Sequence, residues 1–196
     1  MAISLQKGQK VELHKSNGGD LTKVIVGLGW DTVQQTKEFM FNKEAQAFDC
    51  DASAFMLQNG KMVADEDKIY FGNLSHFSGT VVHMGDSMTG EGDGDDEQIV
   101  VDLEHVPEEY DKIVFVVTIF QATNRGQHIG MLQNAYIRIC DDKGQEMCKY
   151  DLNDNYEGMT ALVFGELYRY NGKWKFNAIG QPTKDSNVHE IANRFR

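Results

Sequence analysis

Between Gly85 and Leu103 the chain reads GDSMTGEGDGDDEQIVVDL. Six carboxylates (Asp86, Glu91, Asp93, Asp95, Asp96 and Glu97) fall within twelve residues, directly ahead of an apolar stretch. Carboxylates this close repel one another, so a folded chain keeps them together by leaving them solvated or by sharing a cation among them. Glycines at 85, 90, 92 and 94 let the backbone curl tightly around a small object, because glycine reaches positive φ without a Cβ clash. Oxygen donors on an irregular loop suit Ca2+, which takes about six to eight hard ligands in flexible geometry. Mg2+, which keeps more of its water, is the second choice. The loop holds no Cys or His, so softer metals are poorly served.

A second acidic pair stands in AFDCDASAFML, where Asp49 and Asp51 are two residues apart on a strand-like run and share one sheet face. Phe48, Cys50, Ala52 and Ala54 then take the other face. Two carboxylates among hydrophobes need a counter-charge. Asp31, after the run GLGW, is a third contributor, delivered to a strand end. An acid-rich, glycine-rich loop is also a common solvated surface, and a paired Arg is the other way to hold Asp49 and Asp51. The loop is not an EF-hand. Asp93, Asp95, Glu97 and Glu104 match that pattern, but Gln98 stands where it needs glycine, and residues 98–103 read as strand.

The charge balance sharpens the point. The chain of 196 residues carries a net charge of −11, yet from Ile69 to Asp111 there are eleven acids and no Lys or Arg. The remainder holds nineteen acids and nineteen bases. The excess is local, which suggests a site, and its sign disfavours nucleic acid. No apolar run approaches the ~20 residues of a membrane span. The opening MAISLQKGQK lacks the apolar region of a secretory signal, and three cysteines (Cys50, Cys140, Cys148) form no disulfide framework. The expectation is a cytoplasmic protein.

The elements that must position these acids have a period of two. Ile99, Val101 and Leu103 alternate with polar residues, as do Ala135, Ile137 and Ile139. KVIVGLGW and KIVFVVTIF are almost continuously apolar, as expected of strands buried on both faces or near a sandwich core. Turn signals (SNGGD, QNGK, DDKG, YNGK) separate the runs, and Asn171-Gly172 predicts a tight hairpin. This pattern predicts a mostly β protein, an antiparallel β-sandwich of two packed sheets, as one domain over residues 1–196. Val188, Ile191, Ala192 and Phe195 fall at helical spacing, so a short C-terminal helix capped by Ser186 or Asn187 closes the chain. Residues 34–46 read equally as loop or helix.

GLGWD (27–31), DCDASAFML (49–57), VVHMGDSMTGEGDGDDEQIVVDL (81–103) and TALVFGELYRYNGKWKFNAIG (160–180), together with the opening SLQKGQKVEL, resemble the TerD family of tellurium-resistance and stress-response proteins. The resemblance runs in order along nearly the whole chain. It implies a cytoplasmic β-sandwich that binds Ca2+ through acidic loops, has no established catalytic activity and is encoded with other tellurite-resistance and stress genes, beside a membrane-embedded companion protein. The family's ligand positions fall on Asp49 and Asp51, on Asp86, and on Asp93, Asp95, Asp96 and Glu97, with Asp31 as a weaker correspondence. The chain departs from the pattern in a longer connection from Asp31 to Asp49, in Cys50, and in the close QPTKDSNVHEIANRFR.

Two classes of function follow. One is a non-enzymatic calcium-binding module whose ordered acidic surface meets a protein partner, or the inner face of a membrane. The other is a metal-dependent hydrolase using the same carboxylates to activate water. Against the second, the acidic segment contains no base to hold a phosphate, and no GxSxG elbow supports serine catalysis. His76, His83 and His128 are scattered and read as satisfied side chains. Cys140 and Cys148 flank the DDKG turn and read as small hydrophobes that a hairpin brings near each other.

Overall fold

The longest apolar runs become the central strands of two sheets. The computed structural model describes residues 2–14, 19, 21–31, 48–85, 94–152 and 154–196. Its elements are, in order, β1 (Ile3–Ser4), β2 (Lys10–Glu12), β3 (Lys23–Asp31), β4 (Cys50–Leu57), β5 (Lys68–Ile69), β6 (Val81–His83), β7 (Glu97–Asp102), β8 (Lys112–Ile119), α1 (Ala122–Arg125), β9 (Gln133–Asp141), β10 (Glu146–Asp151), β11 (Ala161–Tyr170), β12 (Lys173–Thr183) and α2 (Val188–Ala192). One sheet has the order β1-β10-β9-β3-β7-β6 and the other β2-β12-β11-β8-β4-β5. Every pairing is antiparallel except that of β1 with β10. The strands that border the two sheets, β1, β6, β2 and β5, are only two or three residues long.

Period two sorts the side chains. Val24, Val26, Leu28 and Trp30 of β3, Ile99 and Val101 of β7, and Ile137 and Ile139 of β9 face the space between the sheets. There they meet Ala52, Ala54 and Met56 of β4 and Ile113, Phe115 and Val117 of β8. The run KIVFVVTIF is buried on both faces, as its composition predicts. Its alternate residues Val114 and Val116 lie outside the sandwich, under α2.

Asn187 caps α2 by accepting the backbone N–H groups of His189 and Glu190 on its side-chain oxygen, at 2.9 and 3.0 Å. The helix lays Val188, Ile191 and Ala192 on Phe55, Leu57, Val114 and Val163, and Phe195 stacks against Phe55 with ring centroids 5.6 Å apart. The Asn171-Gly172 hairpin joins β11 and β12 with Tyr170 opposite Lys173 and φ values of 52° and 76°, the left-handed pair of a type I′ turn. Residues 34–46 lie outside the described residues.

Ile191 is completely buried, so Ile191→Ala removes roughly 3 kcal/mol of stability. The loss is read as a lower urea midpoint with an unchanged m-value.

Candidate functional site

β3, β4 and β7 deliver the acids predicted from sequence. Asp31 ends β3, Asp49 and Asp51 straddle the first residue of β4, and Asp95, Asp96 and Glu97 lead into β7. β3 and β7 pair directly, with Leu28 opposite Glu97, so Asp31 and Asp96 arrive at the same end of one sheet. β4 belongs to the other sheet, and its start faces the start of β7 across the sandwich.

Glu97 makes that crossing. Its carboxylate is buried, and Oε2 accepts the backbone N–H of Ala52 on β4 at 2.5 Å. His83 of β6 stands beside it, with Nε2 3.5 Å from the same oxygen and 3.1 Å from the Ala52 carbonyl. Nδ1 of His83 accepts the Gly85 N–H at 3.2 Å, so the ring proton belongs on Nε2 and the imidazole is neutral. Glu97 and His83 thus hold the two sheets together at the acidic end.

Asp95 has a different task. It lies on the outer face of its sheet, where Oδ1 accepts from Arg138 Nε at 2.7 Å and Oδ2 from Gln98 Nε2 at 3.0 Å. The Tyr136 hydroxyl stands 3.1 Å from Oδ1 and 2.8 Å from the Gly94 carbonyl. Burial and the Asp95 charge push the Tyr136 phenol up to about 12, and the Asp95 hydrogen bond raises Arg138. The two glycines of GLGW explain how this is possible. A Cβ on Gly27 would collide with the Asp95 carboxylate, and one on Gly29 would lie 2.5 Å from the Tyr136 ring.

Asp31 and Asp96 are engaged through one oxygen each among the described contacts. Asp31 Oδ2 accepts from Asn134 Nδ2 at 2.6 Å, and Asp96 Oδ2 accepts the Trp30 N–H at 2.8 Å. Burial raises the Asp96 carboxyl above its ordinary value, the Trp30 hydrogen bond opposes this, and the charges of Asp31 and Asp95 push it further up. Cys50 registers four of these acids. Burial drives its thiol well above 9.0, and the charges of Asp51, Glu97, Asp49 and Asp96 add to the effect. Asp31 and Asp95 act on Asp96 in turn. Asp86 and Asp93 lie outside the described residues. Among the described residues, no three His, Cys, Asp or Glu side chains close on one point at metal-ligand distance.

The other residues weighed from sequence have plain positions. Cys148 is turned into the core opposite Ile139, whereas Cys140 alternates with Ile139, so the two thiols take opposite faces of the sheet. All three cysteines are free. His76 is buried, its Nδ1 2.6 Å from the Ser78 hydroxyl and 3.3 Å from the Ser78 N–H that donates to it. Its Nε2 stands 3.4 Å from Asp67, which Tyr110 and two backbone N–H groups also hold. This network pins the connection from β5 to β6. Sequence reasoning missed the roles of Arg138, Tyr136 and His83, since each lies far along the chain from its acidic partner. The one signal was the glycine pair 27 and 29, which marks a close approach by other groups.

A family model, the TerD domain, matches residues 1–195. This chain belongs to the TerD family. It is 48% identical, across the whole of both chains, to stress response protein SCP2 of Bacillus subtilis (strain 168). It is also 48% identical to tellurium resistance protein TerD of Serratia marcescens, over 92% of this chain and 91% of that one. Among solved structures, a homologue of telluride resistance protein from Streptomyces coelicolor A3(2) superposes with a TM-score of 0.64 at 21% identity, over 86% of this chain and 94% of the other. A protein of unknown function superposes with a TM-score of 0.68 at 23% identity, over 88% and 95%. These two likenesses establish the fold. No helix among the described residues of this TerD-family chain is long and apolar enough to cross a membrane.

Two expectations test this wiring. Glu97→Ala strands the buried Ala52 N–H and the His83 imidazole, and lowers stability by about 3 kcal/mol in urea denaturation. Asp96→Asn keeps an oxygen for the Trp30 N–H and removes a disfavoured charge. Since the folded carboxyl is raised, its protonated form favours the fold, and that stability is lost as pH rises through the raised value. In chelator at pH 7 the variant therefore melts above the wild type in calorimetry. The difference narrows as the pH falls and is gone below the ordinary carboxyl value of 3.8.

Proposed function

We propose that this chain is a non-enzymatic, cytoplasmic calcium-binding protein of the tellurium-resistance and stress response, whose acidic end is shaped by Ca2+ to receive a protein partner. The observation that carries the reading is Asp96, a half-buried carboxylate raised by burial and by the neighbouring Asp31 and Asp95 charges, at the end of the sandwich where three acid-bearing chain segments arrive. A divalent cation relieves like-charge repulsion of this kind directly.

The donor set fits Ca2+. The candidate side chains are carboxylates, and they divide into two groups. Asp95 and Glu97 are occupied by Arg138 and by the Ala52 N–H, so they act as struts. Asp31, Asp49 and Asp96, together with Asp51 and the loop acids Asp86 and Asp93, are the residues that would hold the ion. Ca2+ bound there would supply charge neutralisation and a fixed loop shape. Glu97 would set the distance between the two sheets against which that shape forms, and Asp95 would anchor the approach to β7 on its own sheet. Relatives named for tellurium resistance and stress response support the physiological assignment.

Calcium at a hundredfold excess over Kd stabilises the folded state by about 2.7 kcal/mol, a rise in Tm of about 5–10 °C. Asp31→Asn combined with Asp96→Asn abolishes that rise in scanning calorimetry, and Mg2+ reproduces it only weakly. Identical melting with Ca2+ and with chelator overturns the calcium reading. Phosphoester turnover by the purified protein, lost in the same double variant, overturns the non-enzymatic one.

A further inference from the structure

The outer face of the first sheet carries an apolar row that neither core uses. Register places Cys140 of β9 opposite Ile25 of β3, Ile25 opposite Val100 of β7, and Val100 opposite Val82 of β6. The four side chains therefore stand side by side on one face. Ile25, Val100 and Val82 are half-buried, and they belong to neither hydrophobic cluster of the described residues. The outer face of the second sheet differs, because α2 covers it. Beyond Val82 the sheet ends in a ribbon, in which Ser75 pairs with Val82 and the His83 N–H donates to the Leu74 carbonyl at 2.8 Å. Met84, two residues on from Val82 and so on the same face, is 61% exposed, and Phe77 at the turn of the ribbon is 73% exposed. Large apolar side chains in water that extend an apolar row mark an interaction surface.

We propose that this row is the docking face for the protein partner, and that the partner presents an amphipathic helix with Lys or Arg beside its apolar stripe. The inference rests on the reading that the acidic end receives a protein, and it names the face and the chemistry. A helix suits the row for a geometric reason. β9, β3 and β7 are each hydrogen-bonded to strands on both sides, so the face offers side chains and no free peptide groups to an extended segment. Four strands about 4.8 Å apart give the row a run of about 14 Å. That is the length of about ten helical residues, which present apolar side chains at i, i+3, i+4 and i+7.

The sign of the partner follows from the net charge of the segments that border the row. β6, β7 and their connections lie in the stretch from Ile69 to Asp111, which holds eleven acids and no Lys or Arg. At one end, Met84 donates its N–H to the Gln98 carbonyl at 2.9 Å, and the Gln98 amide holds Asp95. At the other, the Asp102 N–H donates to the Thr80 carbonyl at 2.8 Å, which brings the exposed Glu104, Glu108 and Glu109 alongside the Phe77 turn. Tyr110 closes that contact edge-on to His76, with ring centroids 5.2 Å apart, and the Glu109 charge reaches the His76 ring. The bases on this face stand on β9 and β3, where Arg138 is bound to Asp95 and Lys23 lies opposite Asp102. Internal pairing redistributes these charges and leaves their sum negative. An anionic membrane surface, or a second copy of this chain with its net charge of −11, meets repulsion there. A basic helix meets attraction and covers the apolar row at the same time.

The probe is a synthetic peptide of about 18 residues with leucines on one helical face and lysines on the other. Its controls are the same design with Glu in place of Lys, and a Leu/Lys peptide of the same composition rearranged to period two. Calorimetric titration in Ca2+ should show the helical Leu/Lys peptide binding at least about tenfold more tightly than either control. Val82→Asn combined with Val100→Asn should weaken that binding about tenfold while circular dichroism stays native. Met84→Asn, at an exposed side chain, gives the same direction if the double variant loses structure. Equal binding of peptide and controls, or binding unchanged in a folded variant, overturns the inference. Dimerisation in sedimentation, or flotation with phosphatidylserine vesicles, lost in the same variants, assigns the face to a second copy or to lipid and overturns it as well. Failure of the peptide with the calcium-induced rise in Tm intact removes this inference alone. Peptide binding that depends on the row, with no calcium rise, removes the calcium reading alone.

Discussion

A single buried carboxylate sets the geometry of the acidic end. Glu97 crosses from one sheet to the other and accepts a backbone N–H of β4 in a site without bulk water, where a charged hydrogen bond is strong and its loss is costly. That contact fixes where β4 begins relative to β7, and so fixes where Asp49 and Asp51 stand relative to Asp96. The neutral tautomer of His83 completes the arrangement, since its Nε2–H faces both the carboxylate and the Ala52 carbonyl. The core already packs β4 against β7, and this crossing pins their ends where the acids lie.

The neighbouring acids are then separated by what surrounds each. Asp95 points outward onto a floor of glycine and is neutralised by Arg138, whereas Asp96, one residue on, turns toward the Trp30 amide and the Asp31 charge. Asp95 and Asp96 precede β7, ahead of regular strand alternation, so the run Asp95-Asp96-Glu97 sends three carboxylates to three environments. A cluster that looks uniform in the sequence is structurally a mixture of an ion pair, a partly buried repulsive pair and an interior strut.

Much of this was legible in the chain itself. The alternation of Ile99, Val101 and Leu103, the two-faced burial of KIVFVVTIF, the Asn171-Gly172 hairpin and the Val188–Ala192 helix all follow local rules of period and turn chemistry, and the structure obeys them. The concentration of acids was legible too, because charge concentration is a one-dimensional property. The pairing inside it was not. Arg138 lies 43 residues from Asp95, and Glu97 lies 45 from Ala52, so their meeting depends on sheet order and register, which periodicity alone does not supply. The separation of Cys140 and Cys148 onto opposite faces likewise depends on a register shift between Glu146 and Cys148.

The four border strands have a consequence of their own. A sheet rim with two or three exposed peptide groups offers too little template for a neighbouring chain to add a strand, so crowding many copies together should not seed fibrillar stacking. A protein whose interior strands are as apolar and β-branched as these carries a high intrinsic hazard of that kind. Its trimmed margins keep the hazard sealed inside the sandwich.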